Sequence, residues 1–324
     1  MSESVGEVAR RVRESIGRVI VGKDAAVELL LVALLAEGHV LLEDVPGLGK
    51  TMLARSLARS LGCTFHRVQC TPDLLPSDIT GSYIFNQKTA EFQFRPGPVF
   101  AQLVLADEIN RATPRAQSAL LEAMGERQVT AEGETRALPR PFMVLATQNP
   151  VEMEGTFPLP EAQLDRFLMR IRLGYPTQEE DTAILDRFSS RDPLEEITPS
   201  ISAEHLTALQ RTCRDTSVTN DVRQYIIQLV HATRAHPQVE LGASPRAMIG
   251  LFHCAQALAA VRGRRFVIPD DVKYLTPYVF EHRVMLKSQS SLRGQTAVLA
   301  LKDVMESVPV PVETEHTAAP AARS

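Results

Sequence analysis

The chain has 324 residues, of which 44% are hydrophobic and 23% charged, a balance that suits two folded domains and excludes a disordered protein. Its formal net charge of −4 gives no global pull toward nucleic acid or an anionic membrane, although a local basic lining in an oligomer stays compatible with it. No apolar run reaches the ~18 residues of a membrane span, and the N-terminus has no signal-peptide core, so a cytoplasmic protein is expected.

Val5, Val8, Val12 and Ile16 recur at helical spacing with arginines between them, so residues 5–18 read as an amphipathic helix. Residues 20–24 break it, and residues 25–37 form a second, almost wholly apolar helix. Val21 and Gly22 between them suit either a surface for an adenine ring or a plain interhelix turn. A buried strand follows over residues 40–42. The loop Pro46, Gly47, Leu48, Gly49 then leads into Lys50, Thr51 and Met52, which open a helix with Leu53, Ala54, Leu57, Ala58 and Leu61 on one face. Strand, glycine loop, Lys–Thr and helix form the context of a phosphate-binding loop. Its backbone N–H groups converge and the helix N-terminus adds positive partial charge. Lys50 is placed to reach the β- and γ-phosphates and Thr51 to hold Mg²⁺. The strict pattern asks for glycine at position 44, where this chain has Asp44.

Residues 65–69 read as a second strand, and Thr71, Pro72 and Asp73 as a helix start. Aromatic β-formers at 83–85 and 91–94 around a polar five-residue turn predict a hairpin over 81–94, suited to a working loop or to decoration. A buried strand over 103–106 ends in Asp107 and Glu108, which alternation places on different sides of the strand end. That suits Asp107 to a metal ion and Glu108 to the attacking water. Thr113 as N-cap and Pro114 at the first helical position start the next helix, with Ala116, Leu120 and Met124 inward. A second hairpin is expected over 128–137 and a fourth strand over 142–147. Asn149 beyond it suits either a lytic water or γ-phosphate, or a turn. Residues 160–167 predict a short helix and 168–172 a fifth strand. Arg166 either pairs with Asp165 or Glu161, or faces a phosphate held by a neighbouring subunit.

The pattern changes near residue 175. Thr177 and Glu180 have capping-box spacing, and from Ala203 onward the periods are helical with no strand signature. Ser244 and Pro245 start a helix with Arg246 in its first turn. A cation there opposes the helix dipole at a cost of up to ~1 kcal/mol unless an anion binds nearby; a solvated arginine is the alternative. Ile268, Pro269, Asp270 and Asp271 start another helix. The Pro-, Ala- and Thr-rich end predicts a disordered tail. Cys63, Cys70, Cys213 and Cys254 lack C-x-x-C spacing and read as small buried thiols.

In this order, residues 42–51, 105–116, 120–130, 146–150, 154–160 and 161–167 resemble the MoxR family of AAA+ ATPases, with the likeness covering roughly residues 5–300. The Asp–Val–Pro–Gly–x–Gly–Lys–Thr form of the loop, with Asp44, is similar to what that family uses. The resemblance implies an α/β fold: a P-loop αβα sandwich on a five-stranded parallel sheet over residues 1–175, with inserts near 81–94 and 128–137. A smaller all-helical lid over 176–305 and a tail over 306–324 complete it. It implies Walker A roles for Lys50 and Thr51 and Walker B roles for Asp107 and Glu108. Asn149 matches sensor 1, Arg166 an arginine finger acting in trans, and Arg246 sensor 2. It further implies ATP with Mg²⁺, a homo-oligomeric ring that is usually hexameric, and chaperone-like remodelling of a protein client. Such clients often carry von Willebrand factor A domains; no direct nucleic-acid contact is expected. Two other classes remain open at this point: a motor on nucleic acid or in metal chelation, and a nucleotide-gated scaffold with negligible turnover.

Overall fold

The computed structural model describes residues 3–131, 133–150, 155–189, 192–292 and 294–311. Helix α1 (Val5–Gly17) starts at a capping box: the Ser4 hydroxyl accepts from the Glu7 N–H, and the Glu7 carboxylate accepts from the Ser4 N–H. Its valines and Ile16 are buried, as their spacing predicts. Helix α2 (Asp24–Leu35) buries almost every side chain. There follow β1 (Val40–Glu43), α3 (Lys50–Ser60), β2 (Phe65–Gln69), α4 (Pro76–Thr80), the hairpin β3 (Gly81–Asn86) and β4 (Glu91–Pro96), and β5 (Leu103–Asp107). The core continues through α5 (Pro114–Glu126), the hairpin β6 (Gln128–Ala131) and β7 (Glu134–Ala137), β8 (Met143–Gln148), α6 (Glu161–Leu164) and β9 (Met169–Ile171).

The central sheet has the order β2-β5-β8-β1-β9, and every neighbouring pair is parallel. Strand β8 therefore lies between the strand that feeds the glycine loop and the strand that ends in Asp107. In an open parallel sheet, ligands bind beyond the carboxyl ends of the strands where the order reverses, and the glycine loop, Asp107, Glu108 and Asn149 sit at that edge. Apolar residues run from Leu103 to Ala106 of β5 and from Met143 to Ala146 of β8, as fits strands covered on both faces.

One expected start moves. Thr71, Pro72 and Asp73 form a turn closed by the Leu74 N–H on the Thr71 carbonyl, and the helix begins at Pro76, where the Asp78 carboxylate accepts from the Leu75 N–H. Both predicted hairpins form, and Arg136 of the second lies over the Phe94 ring of the first and donates to the Tyr83 hydroxyl.

After residue 175 come α7 (Gln178–Phe188), α8 (Ala203–Arg214), α9 (Asn220–Ala235), β10 (Val239–Leu241), α10 (Pro245–Val261), α11 (Pro269–Phe280), β11 (Met285–Leu286), α12 (Ser288–Leu292) and α13 (Ala297–Ser307). The capping box at Thr177 and Glu180 is present. Among the described residues this lid is helical apart from a small antiparallel ribbon of β10 on β11 and a single parallel bridge between Ser217 and Phe266, which the helical periods did not reveal. Its buried residues join α1, α2 and α3 in one continuous cluster, so the first two helices fill the space between sheet and lid. Glu28 of α2 seals this contact by accepting from Arg262 at the end of α10. The tail was expected from 306, but α13 runs on through Ser307 and Val308 is buried. Residues 312–324 of that expected tail, and Glu154 of the matching motifs, lie outside the described residues.

A buried histidine ties the sheet to α5. His39 Nδ1 accepts from the Val144 N–H at 3.0 Å, and Nε2–H donates to the Met124 carbonyl at 3.1 Å. Burial pulls its pKa from 6.5 down to about 4. The unfolded chain therefore binds more protons between those values, so stability is complete above pH 6.5 and is lost as pH falls toward 4. At 1.4 kcal/mol per pH unit the loss approaches ~3 kcal/mol. Urea unfolding at pH 7 and pH 5 measures it, and His39→Gln is expected to flatten the slope. His282, also buried and lowered by burial, adds a slope of the same sign.

Candidate nucleotide site

Gly47 and Gly49 have φ of +85° and +78°, and a Cβ on either would meet nothing within 4 Å. Glycine is required there by the left-handed backbone rather than by crowding. Gly49 is the N-cap of α3, so the helix N-terminus opens onto the loop. Lys50 Nζ bends back to the Asp44 carbonyl at 2.6 Å. Burial lowers the Lys50 pKa, while the charges of Asp44, Asp107 and Glu108 oppose the shift. Asp44 itself faces away from the loop. Its carboxylate accepts from the backbone N–H groups of Leu173 and Gly174, just beyond β9. The residue that breaks the general loop pattern thus anchors the loop to the neighbouring strand.

A cavity of about 470 Å³ is lined by Pro46, Gly47, Gly49, Lys50, Thr51, Met52 and Arg55 on the loop side, and by Arg67, Asp107, Glu108, Thr147 and Asn149 across it. Asp107 closes β5 and Glu108 follows it with φ +58° and ψ +52°. A left-handed backbone is strained for a non-glycine residue and recurs at functional sites. It turns the Glu108 side chain off the strand, so the two acids diverge by a backbone kink rather than by alternation alone. One hydroxyl fixes both: Thr147 Oγ1 donates to Asp107 Oδ1 at 2.6 Å and accepts from the Glu108 N–H at 2.8 Å. Asp107 Oδ2 accepts from Arg67 Nη2 at 2.6 Å and Nε at 3.1 Å. Glu108 Oε2 accepts from Gln69 Nε2 and Arg111 Nη1, each at 3.2 Å.

Arg67, Gln69, Arg111, Arg55 and Thr147 were not singled out from sequence. Arg67 and Gln69 share one face of β2 by the period of two, a visible signal whose meaning depends on β2 lying beside β5. Thr147 is the lone hydroxyl in an apolar strand, which was the cue available. Thr147→Val keeps the shape and deletes both hydrogen bonds. Each is worth about 1–3 kcal/mol when its partner is left buried, so hydrolysis is expected to fall at least tenfold with nucleotide affinity near wild type. Steady-state turnover and fluorescent-nucleotide titration on the same sample check it.

The other expected site residues lie apart from this cavity. Leu48 is half-buried and does not line it. Val21 and Gly22 do not line it either; a Cβ on Gly22 would stand 1.7 Å from the Glu180 carboxylate, so this turn packs on the capping box of α7. Arg166 Nη1 donates to the Leu121 carbonyl, passes over Gly125, and lines a separate cavity with Glu122 and Glu126. Arg246 stands in the first turn of α10 behind the Ser244 cap, 61% exposed and 3.6 Å from Asp165. Neither arginine reaches the glycine loop of its own chain. Arg170 and Arg172 are both tied to Glu43 and Glu281, and Arg262 to Glu28 and Asp271, whereas Arg166 makes no ion pair among the described residues.

A glycine loop after β1, paired acids at the end of β5, an asparagine just beyond the strand β8 that lies between them, and a helical lid define an AAA+ ATPase. Residues 39–169 match the ATPase family associated with various cellular activities, and residues 231–302 match the AAA lid domain. The uncharacterized protein YeaC of Bacillus subtilis is 52% identical over 93% of this chain and 94% of its own. Chaperone MoxR1 of Mycobacterium tuberculosis is 45% identical over 91% of this chain and 80% of its own. The crystal structure of a protein from Cytophaga hutchinsonii, described there as a candidate ATPase, superposes with a TM-score of 0.89 at 37% identity, covering 95% of this chain and 96% of that one. The chain belongs to the MoxR family of AAA+ ATPases. Among the described residues no helix is long and apolar enough to cross a membrane.

Proposed function

We propose that the protein hydrolyses ATP at interfaces between subunits of a ring and uses the cycle to remodel a protein partner. The observation that carries this is the division of the site: loop, acids and Asn149 share one cavity, while Arg166 and Arg246 stand on other faces with no phosphate of their own to meet. In a ring they meet the nucleotide of the next subunit.

The loop N–H groups from Gly47 to Thr51 and the amine of Lys50 hold the phosphates, Lys50 leaving the Asp44 carbonyl to do so. Glu108 accepts the proton of the attacking water, Asn149 orients that water or the γ-phosphate, and Arg166 and Arg246 neutralise charge from across the interface. Thr51 and Asp107 are the residues that would hold Mg²⁺, which would supply neutralisation of phosphate charge when bound. Both are hard oxygen donors, and the Arg67 guanidinium against Asp107 supports a negatively charged carboxylate suited to a cation.

The relative named a chaperone, MoxR1, supports a protein client. The family resemblance extends the reading to a hexamer, a von Willebrand factor A domain partner and a cytoplasmic setting. A steady-state ATPase assay across protein concentration tests the proposal. Turnover per subunit is expected to rise with concentration and to vanish in Lys50→Ala. A Lys50-dependent rate that stays flat while the protein remains monomeric would overturn the interface, and absence of turnover in assembled protein would overturn hydrolysis.

A further inference from the structure

Asp165, the residue before Arg166, is joined to three lid residues at once. Its Oδ1 accepts from Ser244 Oγ at 3.1 Å and lies 3.0 Å from Arg283 Nε. Its Oδ2 lies 3.6 Å from Arg246 Nη1, and its backbone carbonyl accepts from Arg283 Nη2 at 3.0 Å. Ser244 is also the N-cap of α10, its Oγ accepting from the Ala247 N–H at 3.1 Å. The hydroxyl that starts the lid helix therefore fixes that start against the core residue beside the finger.

The three contacts differ in how easily they break. Arg283 has a side chain only 3% exposed and donates to the carbonyls of Phe167 and Val279 as well as Asp165, so it cannot leave without stranding a buried charge. Arg246 is exposed, and its ion pair is the longest of the set. A phosphate carries more charge than a carboxylate and matches the guanidinium fork at least as well. Arg246 is the partner that can transfer.

We propose that Asp165 is a positioning residue that makes Arg166 of the core and Arg246 of the lid one unit. Ser244 and Arg283 hold lid to core through its carboxylate, the two arginines reach the adjoining nucleotide at a set spacing, and Arg246 passes from Asp165 to the phosphate. This rests on the interface reading given above.

Asp165→Asn keeps size and the Ser244 bond but removes the charge. Loss of a charge-assisted contact predicts a fall in kcat of about tenfold or more, with KM for ATP within about twofold because the lost interaction belongs to the transition state. Mixing with Glu108→Gln subunits restores turnover if the defect is in trans, because an Asp165→Asn loop then meets intact arginines. Asp165→Glu keeps a counter-ion for Arg283, folds where Asn does not, and is expected to give the same pattern at smaller size. An unchanged kcat in a folded variant overturns the proposal. So does a loss that mixing fails to relieve under conditions where Arg166→Ala is relieved. If Arg166→Ala is not relieved either, the interface reading itself fails, and the two failures are told apart.

Discussion

Glu108→Gln is expected to bind ATP with wild-type affinity and to turn it over 10²- to 10⁴-fold more slowly, about the range for loss of a positioned general base. Glutamine has the shape of glutamate, and the left-handed backbone at 108 is held from outside by Thr147 Oγ1 on its N–H. The geometry of the site should survive the change. Phosphate binding should survive as well, because it depends on the loop N–H groups and Lys50, across the cavity from residue 108. On the function proposed above, what is lost is the acceptor for the proton of the attacking water. Gln69 and Arg111 both donate to Glu108 Oε2, so they set the orientation of the carboxylate and should hold the glutamine oxygen in the same place. Single-turnover hydrolysis beside nucleotide titration separates the two effects. Normal turnover would remove Glu108 from the mechanism. The same variant, arrested with ATP bound, is the form in which to capture a client.

How much of this was readable from the chain follows the range of the interactions. The glycine loop, the acid pair and the Ser244–Pro245 and Thr113–Pro114 helix starts are local, set by neighbours within four residues, and each forms where its residues predict. The helix start at Thr71 failed because Asp73 serves a turn with Thr71 instead of a cap; the N-cap is Leu75, whose N–H is taken by the carboxylate of Asp78 in the first turn. Ribbon β10–β11 was invisible because strands of three and two residues carry no periodicity, and their partners stand more than forty residues apart. The polar cage of the acids was hidden for another reason. Arg67, Asp107 and Thr147 come from three strands, and only the order β2-β5-β8 makes them neighbours. Asp44 shows the same dependence: its partners follow β9, the strand that lies beside β1.

Arg166→Ala tests the largest step from one chain to an assembly. Within a subunit the guanidinium does little beyond donating to the Leu121 carbonyl, an acceptor at the open side of α5. A neutral carbonyl is a weak partner for a charge, and exchange for a γ-phosphate favours the interface. The substitution also removes no buried ion pair, in contrast to any change at Arg170, which is held by Glu43 and Glu281. Folding should therefore be unaffected, and a melting curve checks that directly. Hydrolysis should fall by ~10³-fold or more, the scale of an arginine finger, while nucleotide still binds to the loop of the same chain. In a random one-to-one mixture with Glu108→Gln, roughly a quarter of the interfaces of a closed ring join an intact loop and acid pair to an intact arginine. Activity should reappear at those interfaces, although each parent protein is inactive alone. A mixture that assembles and stays silent would place Arg166 outside the reaction. A variant that loses ATP binding along with turnover would mean that this arginine serves its own subunit's loop, against its separation from that cavity.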